Sequence, residues 1–301
     1  MGKPPAIQET TFTMVDYDLD ATLSSGQAFG WQQTARGWTG VVAGRAVELV
    51  SGAGGIQART RGDAGDWSWL RDYLQTEVDL AAILRTFPPD DAHLQRAVRE
   101  CRGLRLLRQP PWECLAGFIL SATKQIVQIQ QMHGLLCERY GDKRPLPGRA
   151  GSRFSFPDPA RVAALSEAQL RRCKMGFRAP YLRAAAGQVA AGTIDLEKIR
   201  AFDLETARRE LLRFEGVGPK IADCVLLFAY GFPTAFPVDV WVRRSLGDHY
   251  FKGRTVPVQE LARFVVGHFG PHAGYAQQYL FHHVRITSGK NLSDAGIKSV
   301  S

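Results

Sequence analysis

Two side chains have the types and the setting that nucleophilic chemistry needs. Lys220 stands in Leu211-Leu-Arg-Phe-Glu-Gly-Val-Gly-Pro-Lys-Ile-Ala-Asp-Cys224, directly after a Gly-x-Gly-Pro turn. Pro219 suits the first turn of a helix and puts Lys220 at a helix N-terminus. A cation there opposes the helix dipole, so the lysine is badly placed for stability and well placed to act as an amine nucleophile. Asp239 follows in Phe236-Pro-Val-Asp-Val-Trp-Val-Arg-Arg244, after a proline-bearing loop and before a short helical run, where it reads as an N-cap. A Lys and an Asp at the starts of successive helices point to one shared cleft.

The elements that must position them follow from the flanking pattern. Leu204, Ala207, Leu211 and Phe214 recur at helical spacing behind Asp203, a plausible N-cap. Gly216 and Gly218 permit positive φ and close backbone approach. The second helix starts at Pro219 and can stop at Gly231. The spacing therefore predicts helix, tight turn, helix over about 204–231. Unpaired backbone N–H groups at such a turn can hold a phosphate.

The chain has 301 residues, 45% of them hydrophobic, enough for two domains or one large one. A formal charge of +9 favours an anionic partner, nucleic acid ahead of a membrane surface. No apolar run approaches the length of a membrane span, and the N-terminus lacks a signal-peptide core. The five cysteines are odd in number and widely spaced, which argues against a disulfide framework and for a reducing compartment. The histidines show no metal-binding spacing, so no metal site is expected. His282-His283 is expected to be a surface or phosphate-facing pair.

Along the chain, residues 1–10 read as loose. Phe12 to about Arg61 reads as a small antiparallel sheet, with strands at Val41-Val42 and Val47–Val50 and turns at Ala35–Gly37 and Gly52–Gly55. Inside it, Leu23-Ser-Ser-Gly-Gln-Ala-Phe-Gly-Trp31 reads on local grounds as a turn and a strand. Residues 64–108 turn helical, broken at Pro88-Pro89. Two helices follow between Trp112 and Tyr140, separated by Ser121-Ala-Thr-Lys-Gln125. A Pro/Gly/Arg-rich loop over 143–160 leads into a helix from Pro159 to Leu170, then the segment Met175-Gly-Phe-Arg-Ala-Pro-Tyr181 and an alanine-rich helix. The last helix spans about Ala273 to Arg285, with Gln277 and Phe281 on one face. The domains read as an N-terminal antiparallel β domain (1–90), a mostly helical body (91–288) and a flexible tail (289–301), an α+β chain.

Gly216-Val-Gly-Pro-Lys220 followed by Pro237-Val-Asp239 resembles the helix-hairpin-helix (HhH-GPD) DNA glycosylases, and Lys220 places the chain with their lyase-competent branch. Ala222-Asp-Cys224, Ser25-Gly-Gln-Ala-Phe29, Arg105-Leu-Leu-Arg-Gln-Pro-Pro111 and Gly274-Tyr-Ala-Gln-Gln-Tyr-Leu-Phe281 are similar to the 8-oxoguanine DNA glycosylase/AP lyases in particular. The matches run in order over roughly 20–285. The resemblance implies a TBP-like sheet before a two-lobed helical body, and removal of 8-oxoguanine from double-stranded DNA by a monomer. It implies Lys220 as the Schiff-base nucleophile and Asp239 as the catalytic carboxylate. Gly26, Cys224, Gln277 and Phe281 match the base pocket: the Gly26 carbonyl would accept from the N7 proton that the lesion has and guanine lacks. Phe177 and Arg178 match the duplex wedge beside the orphaned base. Gly216, Gly218, Lys124, Gln125 and Arg243 match or replace DNA phosphate contacts.

Where family members carry an asparagine run, this chain has Thr123, Lys124 and Gln125, and a family Arg that reads the orphaned base matches Gln128. Trp241 stands where a His is common, and Arg243 or Arg244 is expected to supply the phosphate contact instead. The resemblance implies no required cofactor and a monovalent cation at the hairpin. No Cys follows Cys224, so the ligand count excludes the iron–sulfur cluster of some relatives. The implied location is intracellular, with the nucleoid in a prokaryote or the nucleus in a eukaryote. Three alternatives stay open: a glycosylase for alkylated bases, which usually keeps the Asp but lacks the Lys; an 8-oxoguanine enzyme tolerant of several opposing bases; and a noncatalytic DNA clamp.

Overall fold

The structure, a computed structural model, describes residues 6–148, 150–254 and 256–296, with side chains to residue 287. Strands Ile7–Phe12 (β1), Gln32–Thr34 (β2), Gly37–Val42 (β3), Arg45–Gly52 (β4) and Gly55–Arg61 (β5) form one antiparallel sheet in the order β1-β5-β4-β3-β2. Val47 pairs with Thr60 and Leu49 with Ala58, which sets the buried residues of β4 and β5 on a core shared with Trp31, Trp67, Leu70 and Leu74. Residues 1–5 of the stretch expected to be loose lie outside the described residues, and Ile7–Thr10 are ordered in a strand. Ile-Gln-Glu-Thr-Thr-Phe lacks a buried alternation, yet all six residues pair with β5, and only Phe12 is buried. Backbone pairing, not side-chain patterning, makes that edge strand.

A second and larger core takes in Ala21 and Phe29 from the N-terminal segment and runs from Leu80 and Ile83 through the helices Pro111–Leu120, Ile126–Tyr140 and Ala179–Ala190 to the C-terminal helix. The bridge Arg105–Gln109 lies between the two cores. Arg108 N–H donates to the Tyr73 carbonyl at 2.9 Å, and Gln109 N–H to the Phe228 carbonyl at 2.8 Å. No helix among the described residues is long and apolar enough to cross a membrane.

Four local expectations are corrected. The Leu23–Trp31 stretch holds no strand: a short helix, Leu19–Ser24, ends there and a loop follows. The helix expected over 159–170 is two, Pro159–Ala163 and Glu167–Arg171, because Ser166 accepts from the Gln169 N–H at 3.3 Å and starts a new helix. The 143–160 loop contains a small ribbon that pairs Lys143–Pro145 with Ser152–Phe154. The last helix, Ala273–Gly296, runs past residue 289, as an established helix gains one hydrogen bond for each residue added. Residues 297–301 of the expected tail lie outside the described residues.

Candidate active site

The hairpin helices are Leu204–Leu212 and Pro219–Val225. Asp203 caps the first, accepting from the Thr206 N–H at 2.9 Å. Arg208 on the first helix donates to Asp223 on the second at 2.8 Å, a partly buried ion pair that clamps the two together. The second helix loosens into a π-helical turn, Leu226–Tyr230, which Gly231 closes at φ +76°. Between the helices only Gly216 uses positive φ, at +80°. Gly218 is extended at φ −97° and does not use the positive φ that glycine permits.

Lys220 is half-buried at the start of the second helix. Its Nζ donates to Ser121 Oγ at 3.1 Å and lies 5.2 Å from the centre of the Phe118 ring. Asp239 caps the helix Val240–Tyr250, its Oδ1 accepting from the Val242 N–H at 2.7 Å. Among the described residues its Oδ2 has no protein partner, and the carboxylate is not ion-paired with Lys220. Both side chains line one cavity of about 830 Å³, which also holds Gly26, Cys224, Gln277 and Phe281. Lys220 and Asp239 thus share their cleft with all four residues matched to base recognition.

The end of the cavity matched to base recognition carries a buried polar group. Gln277 is 4% exposed, and its Oε1 has no hydrogen-bond partner among the described residues. An unpaired buried amide costs about 1–3 kcal/mol, a cost that a polar ligand can relieve. The ring of Phe281 stands one helical turn beyond it. Burial pushes the Cys224 thiol up to about 12, against the opposing pull of Lys220, so it serves as a neutral wall. Gly26 sits at φ +84°, and a Cβ there would meet Ile126 Cδ1 at 2.4 Å.

The Gly26 loop is held by residues that sequence reasoning did not single out. The Gln27 side chain is fully buried. Its Nε2 donates to the Thr22 and Arg105 carbonyls at 2.9 and 2.8 Å, and its Oε1 accepts from the Leu107 N–H at 2.7 Å. From the last helix, Gln278 Nε2 donates to the Ser25 carbonyl at 3.3 Å and Arg285 Nη1 to the Ser24 carbonyl at 3.1 Å. The helix that carries Gln277 and Phe281 therefore also fixes the loop that carries Gly26. His282 is buried rather than surface-facing. Burial, then the charges of Arg285 and His283, hold its imidazole down to about 4, so it is neutral. His283 pairs with Glu100 at 3.1 Å.

Thr123, Lys124, Gln125 and Arg243 line the same cavity, together with Gly218. Gly216, Phe177 and Arg178 lie outside it. Phe177 is 53% exposed, whereas Arg178 is 2% exposed and its guanidinium lies 4.1 Å from the Phe177 ring centre. Arg178 donates to the Ala122 carbonyl from Nε at 3.0 Å, to Thr123 Oγ1 from Nη2 at 2.8 Å, and to the Met175 carbonyl at 3.3 Å. Gln128 Oε1 accepts from the Gln125 N–H at 3.2 Å and so helps cap the helix Ile126–Tyr140.

Residues 10–115 match the 8-oxoguanine DNA glycosylase N-terminal domain, and residues 116–266 the HhH-GPD superfamily base excision DNA repair protein. The chain belongs to the HhH-GPD superfamily of base-excision DNA repair proteins. It is 30% identical to a probable N-glycosylase/DNA lyase of Methanothermobacter thermautotrophicus, over 90% of this chain and 94% of that protein. MBOgg1, solved in complex with a low-affinity DNA ligand, superposes with a TM-score of 0.86 at 31% identity, covering 95% of this chain and 100% of that one. The 8-oxoguanine glycosylase/lyase of Clostridium acetobutylicum, solved with double-stranded DNA containing cytosine opposite 8-oxoG, gives 0.85 at 28% identity, covering 94% and 98%.

Proposed function

We propose that this protein extrudes 8-oxoguanine from duplex DNA, removes it, and cleaves the strand through a Schiff base on Lys220. One observation carries the reading. A single cavity holds Lys220 and Asp239 together with Gly26, Gln277 and Phe281, so a base read by the latter three presents its sugar to the former two. The unpaired Gln277 amide suits the hydrogen-bonding edge of a flipped base, and Phe281 suits its face.

In this mechanism the free Asp239 oxygen stabilises positive charge building at C1′. The neutral Lys220 amine attacks C1′, and the C1′–N9 bond breaks with its electron pair leaving on the base, which takes up a proton. The C1′–O4′ bond then breaks, O4′ takes up a proton to become a hydroxyl, and the ring-opened sugar is left as the protonated imine on Lys220. Loss of a C2′ proton then expels the 3′ phosphate by cleaving C3′–O, and water releases Lys220 by hydrolysing the imine. Backbone N–H groups near Gly216 and Gly218, with Lys124, Gln125 and Arg243, hold the phosphates. Phe177, 53% exposed, fills the gap in the duplex, and buried Arg178, matched to the same wedge from the sequence, instead supports the ring and the 122–123 turn from behind.

No step requires a cofactor. A monovalent cation at the hairpin fits the turn, where the Leu212 and Arg213 carbonyls accept no backbone hydrogen bond among the described residues. The protein acts as an intracellular monomer in this reading.

A second feature concerns the opposing base. Gln128 gives its Oε1 to the helix cap and keeps only its amide N–H groups to donate where family members have an arginine, and Arg178, 2% exposed, is turned to the 122–123 turn. This favours tolerance of several opposing bases. The test is borohydride trapping on duplexes carrying 8-oxoguanine opposite each of the four bases. A covalent adduct that needs both the lesion and Lys220, and is absent with Lys220→Gln, is the expected result. Comparable adducts across opposing bases would support tolerance; an adduct with cytosine alone would overturn it. Base release without any adduct would make the enzyme monofunctional and remove Lys220 from its role.

A further inference from the structure

The catalytic lysine does not stand alone in its cavity: it is held by the end of another helix. The helix Pro111–Leu120 stops at Ser121, whose backbone is still helical at φ −74° and ψ −15°. Its hydroxyl folds back and donates to the Phe118 carbonyl at 2.7 Å. A hydroxyl has one proton to give, so with that proton committed Ser121 faces its other neighbour as an acceptor only. That neighbour is Lys220 Nζ, at 3.1 Å. Phe118 fixes the same nitrogen a second time, through its ring face 5.2 Å away. The ring is itself immobilised, stacked on Phe228 at 5.6 Å and edge-packed on Phe29 at 5.4 Å.

We infer that Ser121 is a positioning residue for the Lys220 amine. By taking one N–H it turns the remaining valences of the nitrogen into the cavity and keeps the lysine clear of an ion pair with Asp239. That leaves the free Asp239 oxygen for the sugar. The inference rests on the reading of Lys220 as the nucleophile. The turn that carries Ser121 is anchored from behind, because buried Arg178 donates to the Ala122 carbonyl and to Thr123 Oγ1. The hydroxyl therefore sits on a fixed support rather than on a free loop.

The experiment compares wild type, Ser121→Ala, Ser121→Thr and Lys220→Gln by single-turnover borohydride trapping on 8-oxoguanine duplex and on duplex with a preformed abasic site. DNA affinity by fluorescence anisotropy and thermal melting are measured on the same samples. Ser121→Ala is expected to trap at least about tenfold more slowly on both substrates, as a misplaced reacting group does, with affinity changed by less than about twofold. Ser121→Thr, which keeps the hydroxyl, should restore most of the rate. A Ser121→Ala rate equal to wild type overturns the inference. So does a rate lost in proportion to affinity or melting temperature with no rescue by Thr. Failure of the underlying reading looks different, since wild type itself would then give no Lys220-dependent adduct.

Discussion

Thr123 shows how a single residue can carry strain at the edge of the site. It sits at φ +55°, a left-handed conformation that a β-branched side chain rarely adopts, and the Arg178 guanidinium holds its hydroxyl at 2.8 Å. Asparagine tolerates that backbone and still offers an oxygen to Arg178. Thr123→Asn is therefore expected to stabilise the free protein by about 1 kcal/mol, seen as a melting temperature higher by about 2 °C. A melting temperature equal to or below wild type would mean that the hydroxyl contact outweighs the strain. At this scale the sequence exposes residues whose setting is local. Lys220 and Asp239 announce themselves by standing at helix starts next to Gly and Pro. Ser121 does not, because its partner lies 99 residues away, and the Gln278 contact to Ser25 spans 253. Only the folded chain brings such pairs together.

Among the elements, the hairpin turn separates glycines that serve the fold from glycines that serve a ligand. At Gly216 the backbone needs positive φ, and a Cβ would press on the Tyr181 ring at 2.7 Å. That glycine is structural. Gly218 is extended, lines the cavity, and a Cβ there would meet no protein atom within 4 Å. Nothing in the fold forbids a side chain at 218; what it would obstruct, on the proposed function, is a phosphate approaching the backbone. Gly218→Ala should thus leave the melting temperature within about 1 °C, since alanine fits that backbone without strain, while weakening DNA binding several-fold in an anisotropy titration. Lost stability with intact binding would reverse the assignment. Helix ends marked by Asp, Pro and Gly were legible in the same way: Asp203, Pro219, Gly231 and Asp239 all bound the helices they suggest. The strand β1 was not legible, because its only buried side chain is Phe12 and its order comes from pairing with β5. The break at Ser166 was legible only through the capping box Ser166-Glu-Ala-Gln169, since the residues on both sides of it favour helix.

For the whole molecule, charge and shape divide the work of finding DNA from the work of recognising damage. The formal charge of +9 acts on any phosphate backbone, and such attraction weakens as salt displaces the counterion atmosphere. On the proposed function, the cavity with its unpaired Gln277 oxygen acts only on a base that has left the stack. The two contributions should respond to different variables. Arg243 tests the first. It lines the cavity mouth, and among the described residues it has no carboxylate partner, whereas Arg244 pairs with Asp248 at 3.8 Å and Arg254 with Glu260. An arginine left free beside the hairpin fits one phosphate. Arg243→Ala should then lower the slope of log affinity against log salt by about one unit. The ratio of affinities for lesion and undamaged duplex should stay unchanged, because one phosphate contact is common to both. A changed ratio with an unchanged slope would move Arg243 from the backbone to the pocket, and lesion recognition would then extend onto the helix that Asp239 caps.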